Sequence, residues 1–175
     1  MSGNTKSIIK TEEPLVSYER VLLSQIDYCG KVSDVQYPTC VDNLFALLPT
    51  DIKTIVANKY NQVLSVVLDY VVAYAKEKGF NCCKEYSDGI IICHCDPYTE
   101  RISAIASLIK ENHPDLYLRY RHVIKPIITY IFSTNSRIPT IAFSILMYTI
   151  IIDTLLEHKI IAPSGGTIHI GRVEG

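Results

Sequence analysis

TDIKTIVANKYNQVLSVVLDYVVAYAKEKG, residues 50–79, is the stretch from which the fold can be read. Within it Ile52, Ile55, Val56, Tyr60, Val63, Leu64, Val67, Val71 and Ala75 recur every three or four positions. That is the period of an amphipathic helix with one apolar stripe. Thr50 is placed to cap its start, and Asp51 sits in the first turn, where negative charge suits the helix dipole. Lys76 and Lys78 fall in the last turn, and Gly79 is placed to close it. The spacing predicts a long helix over 51–78. Its stripe must be covered, because in proteins helical stability comes mostly from packing an amphipathic face.

On the N-terminal side, residues 1–13 are polar and read as a disordered lead-in without the apolar stretch of a signal peptide. Pro14 suits a first helical turn, and Leu15, Tyr18, Leu22 and Ile26 follow at helical spacing until Cys29-Gly30 stops them. Thr39 is placed to cap a short helix over 41–48, which Pro49 ends. On the C-terminal side the pattern changes over 80–95. There the Asp88-Gly89 pair suits a tight hairpin turn next to the β-formers Ile90, Ile91 and Ile92. Ile102, Ile105, Ala106 and Ile109 then mark another helix, broken near His113-Pro114. A further helix runs over 116–132, with a kink or break expected at Pro126.

The segment 139–158 is apolar nearly all round, the mark of a buried central helix. It contains Pro139, Thr140, Ser144, Thr149, Asp153 and Thr154, polar or breaking residues that a membrane span avoids. The expected class is mainly α: a compact bundle of six or seven helices around the buried helix 139–158, with one short β-hairpin (80–95). The expected organisation is a single helical domain over 14–162, followed by a tail or lone strand over 163–175.

Composition narrows the function. An apolar share of 48% suffices for a sizeable core. With 17 basic and 18 acidic residues, the chain does not coat nucleic acid through bulk charge. Isoleucine and tyrosine are plentiful and tryptophan is absent, a usage shared by AT-rich genomes, viral ones among them. The polar N-terminus points to the cytoplasm, the host's if the chain is viral. There the 6 cysteines are expected as thiols or metal ligands rather than disulfides.

Two clusters carry candidate chemistry. If Asp88 and Gly89 are the turn residues, counting outwards pairs Cys83 with His94 and Cys82 with Cys95. Strand alternation then puts Cys82, Cys93 and Cys95 on one face, a start for a zinc site with Cys29 or Cys40 as fourth ligand. Their spacing matches no standard finger, and small buried apolar cysteines explain them as well. The second cluster is Tyr117, Arg119, Tyr120, Arg121 and Lys125. Basic groups interleaved with aromatics suit RNA, charge for the phosphates and rings for the bases. A solvated basic edge above a tyrosine-lined core is the plainer account.

The residues Asn135-Ser136-Arg137-Ile138 resemble the Asn-Trp-Gly-Arg-Ile start of the central helix in Bcl-2-like proteins. The Trp and Gly are missing and the spacing is shorter, so the likeness assigns no family. No phosphate loop, Gly-x-Ser-x-Gly or His-Glu-x-x-His pattern occurs. The expected function is a non-enzymatic helical interaction protein that associates with itself or another protein. An RNA-binding protein is the alternative, and a small enzyme of unknown chemistry the third.

Overall fold

The computed structural model describes residues 13–78, 83–87, 91–93, 99–132 and 141–162. Among them the chain is mainly helical, with six helices: α1 (Glu13–Lys31), α2 (Tyr37–Ala46), α3 (Thr50–Lys78), α4 (Thr99–Asn112), α5 (Pro114–Phe132) and α6 (Ile141–Glu157). The segments 1–12, 133–140 and 163–175 lie outside the described residues, so the expected lead-in and tail do too.

The α3 stripe does what its spacing implies: Ile52, Val56, Val63, Val67 and Val71 are buried. At 29 residues the helix is about 43 Å long, enough to meet α6, α5 and α4 in turn. At the centre, α6 packs against α2, α3 and α5. Ile145, Leu146, Ile150, Ile151 and Ile152 have no exposed surface. The helix also reaches α1 through Tyr148, whose Oη donates to the Ile26 carbonyl at 3.0 Å. Beside it Tyr37 and Tyr148 meet edge to face at 5.8 Å, the arrangement that ring quadrupoles favour. The last turn of α6 closes in a Schellman pattern. Ile160 N–H bonds the Leu155 carbonyl and Lys159 N–H that of Leu156, with Lys159 at φ 57°.

Several helix limits and one break depart from expectation; α2 ends at Ala46 and α5 starts at Pro114. Gly30 does not stop α1, which continues to Lys31. A methyl at Gly30 would meet nothing within 4 Å, so the position demands no special backbone. Pro38, near the start of α2, favours the first turn and begins that helix earlier than Thr39 would. The break in α5 falls at Tyr120 (φ −117°, ψ 15°) rather than at Pro126.

Between α3 and α4, β1 (Cys83–Glu85) and β2 (Ile91–Cys93) pair antiparallel. Their register places Cys83 opposite Cys93 and Glu85 opposite Ile91. The expected pairing of Cys83 with His94 is therefore shifted by one, because the connection is longer than a two-residue turn. Cys82 and Cys95 lie outside the described residues, as does His94.

A second correction concerns Cys29 and Cys40. Their sulfurs are bonded to each other, with Cα atoms 5.6 Å apart, within the span a disulfide bridges. The short link after α1, anchored by buried Val32 and Tyr37, folds α2 back along α1 and brings the two together. Gln25 closes over the pair, its Nε2 3.2 Å from Cys40 Sγ and 3.3 Å from the Cys40 carbonyl. Neither sulfur is then a spare zinc ligand.

Candidate functional site: a polar seam between α3, α5 and α6

Although α6 is apolar on most sides, Thr149, Asp153 and Glu157 stand four residues apart along it. Such spacing aligns them on one face. Thr154 lies beside them, buried, its hydroxyl donating to the Ile150 carbonyl at 2.7 Å. Opposite this line, α5 contributes Arg119 and His122 and α3 contributes Lys59. Lys59 Nζ lies 2.6 Å from Glu157 Oε1 and 3.5 Å from Thr154 Oγ1. Arg119 Nε lies 3.4 Å from Asp153 Oδ2. That contact is an ion pair without the alignment of a hydrogen bond, and Asp153 Oδ2 is buried with no hydrogen-bond partner.

Burial sets the electrostatics. The Asp153 side chain is only 19% exposed, and desolvation pushes its carboxyl above the usual value, with Arg119 pulling the other way. Glu157 goes down, chiefly through its hydrogen bond from Lys59. A carboxylate in the last turn has the wrong sign for the helix dipole, and Lys59 offsets that. Burial pushes the Tyr120 hydroxyl up, with Asp153 adding to it. His122 is pushed down by burial and then by Arg121.

The hydrogen bonds of Thr149 fix its role. Its one hydroxyl hydrogen goes to the Ile145 carbonyl at 2.8 Å, so His122 Nε2, 3.3 Å away, donates to it. A nucleophilic hydroxyl needs the reverse, with histidine accepting the proton. The seam is therefore arranged to hold helices together rather than to activate Thr149. Next to it runs an open groove of about 660 Å³, lined by Lys59, Gln62 and Val63 of α3 and by Asp115, Leu116 and Leu118 of α5, with Arg119 and Tyr120 at its edge.

No family model, curated protein or solved structure matches this chain. The geometry therefore stands by itself.

Of the basic and aromatic residues singled out in the sequence, Arg119, Arg121 and Lys125 are exposed. Tyr120 is only 6% exposed, so its ring is not on the surface to stack on a base. Tyr117 is half-buried, with Lys110 Nζ 5.8 Å from its ring centre. Among the described residues, no group of three His, Cys, Asp or Glu side chains could hold a metal ion. Of the thiols proposed for zinc only Cys93 lies in a described strand. The sequence reading missed Lys59, His122, Asp153 and Glu157 as a unit. The signal was present in the four-residue spacing of 149, 153 and 157 within an apolar helix.

His122 yields a prediction with a definite sign. Its folded pKa lies below the ordinary 6.5, so on acidification the unfolded chain takes up the proton first. Its contribution is complete above pH 6.5 and is lost as the pH falls through that value towards the folded pKa. His122→Gln retains a donor for Thr149 and removes the titration. Urea midpoints at pH 8 and pH 5.5 should fall further in the wild type than in the variant. Equal losses would show that His122 does not titrate across folding.

Proposed function

We propose that the chain is a non-enzymatic helical interaction protein, acting through self-association or a protein partner. The observation that carries this reading is the exposure of large apolar side chains among the described residues. Val35 is 89% exposed, Leu118 68% and Tyr28 56%, and Val21 shares the face of Tyr28, two turns away on α1. Apolar side chains that cluster on one surface, as Val21 and Tyr28 do on α1, mark where protein partners dock. The arrangement at Thr149 supports the non-enzymatic part of the reading. Composition fits a viral, AT-rich source, while the Cys29–Cys40 disulfide is unusual for the host cytoplasm expected from the sequence. Among the described residues no helix is long and apolar enough to cross a membrane.

The burial of Tyr120 weighs against RNA as the ligand. A salt titration with labelled single-stranded and duplex RNA separates the two readings, because phosphate contacts release counterions and make affinity fall with salt. We expect nothing tighter than the non-specific level of about 10⁻⁴–10⁻⁶ M. Sedimentation across chain concentrations should meanwhile reveal a species heavier than the monomer. Nanomolar RNA binding that disappears in an Arg119→Ala, Arg121→Ala double variant with its fold intact would reverse the assignment.

A further inference from the structure

From Pro114 onward the solvent side of α5 carries an acid, an apolar residue and a base at equal intervals: Asp115, Leu118 and Arg121, all exposed. Leu118 is 68% exposed. Among the described residues neither Asp115 nor Arg121 has an ion-pair partner, although Lys31, Lys59 and Arg119 each have one. Lys125, one turn beyond Arg121, extends the basic end of the stripe.

We infer that a second copy of this chain covers this face, with two α5 helices packed antiparallel about a two-fold axis at Leu118. This inference rests on the interaction reading above and names its partner and surface. A two-fold interface must be complementary to itself, residue i meeting j and j meeting i. The stripe satisfies that condition. Asp115 lies about 4.5 Å before Leu118 along the helix, and Arg121 follows just past the break at Tyr120, so acid and base flank the leucine on opposite sides. Antiparallel pairing therefore brings Leu118 against its own copy and Asp115 of each chain level with Arg121 of the other. A parallel arrangement would set like charge beside like charge. The groove between α3 and α5 opens beside Leu118 and gives the partner's side chains room to seat. The contact is small, so the dimer forms at high chain concentration and exchanges readily.

Sedimentation equilibrium on the full chain tests this with four variants: Leu118→Glu, Asp115→Arg, Arg121→Asp, and the last two combined. Every substituted side chain is exposed, and circular dichroism verifies that each variant keeps its helices. The wild type should dimerise with concentration. Leu118→Glu sets two carboxylates against each other on the axis and should remain monomeric. Each single charge reversal should weaken association roughly tenfold or more, and the combined swap should restore it, since the pattern is complementary again. Rescue by the swap is a result that mere damage to the helix would not give. A wild-type chain that stays monomeric at millimolar concentration overturns this interface and leaves the interaction reading to a different protein. A dimer that persists in Leu118→Glu also overturns it, and places self-association on another face. A combined swap no better than the single changes excludes the antiparallel charge pairing.

Discussion

Replacing Leu146 by alanine should lower the unfolding free energy by about 2–5 kcal/mol, the range for a large aliphatic side chain emptied from a packed interior. Leu146 has no exposed surface and sits on α6, which α2, α3 and α5 surround. Three helices would have to move together to fill the space, so collapse is restricted and the cavity term stays large. For a chain of this size each kcal/mol corresponds to about 2–4 °C, and the midpoint should fall on the order of 5–15 °C. Ile145→Ala and Ile150→Ala test the same environment and should behave alike. Thermal and urea unfolding of the three variants would measure it. A loss below about 1 kcal/mol at all three positions would mean that α6 is not the packed centre of the fold.

Reduction of the Cys29–Cys40 disulfide should have the next largest effect. The bond closes a loop with a sequence separation of 11, and the chain-entropy relation gives about 3 kcal/mol for a loop of that size. Most of the loss should be felt locally. Without the bond, α2 is held on α1 by Tyr18, whose hydroxyl donates to the Leu47 carbonyl at 2.5 Å, and by the burial of Val41 and Leu44. The comparison is wild type in oxidised and reduced buffers, with a Cys29→Ser, Cys40→Ser double variant as the reagent control. Alkylation under native and denaturing conditions counts the thiols. Free alkylation of Cys29 and Cys40 themselves in oxidised protein, located by peptide mapping, with an unchanged midpoint on reduction, would remove the bond from the folded state.

The sequence made α3 legible because its stripe, its acidic first turn and its basic last turn all agree, and the helix begins one residue from the expected start. Burial of α6 was legible for a simpler reason: no polar face is wide enough to meet water. Boundaries were less legible where a residue has two roles. Gly30 ends helices in many sequences but is tolerated inside α1, and Pro126 kinks less than the bend six residues earlier at Tyr120. The Cys29–Cys40 pairing needed the path of the chain between α1 and α2, which no local pattern contains. The strand register needed the true length of the turn, and a change of one residue moves every partner. The charges on the seam were each visible. What could not be read was which helix stood opposite, since Lys59 and Glu157 are separated by 98 positions.

The line of Thr149, Asp153 and Glu157 has a consequence for how α6 finds its orientation. Burial of isoleucine and leucine has no preferred direction, and α6 presents such residues on nearly every side. Hydrophobic burial alone would therefore leave the helix close to free to turn about its own axis. One residue of rotation, about 100°, would carry Asp153 and Glu157 away from Arg119 and Lys59 and strand two carboxylates among apolar neighbours. The polar line thus works as an angular detent: the core supplies the socket, and three side chains fix the one angle at which the rotor stops.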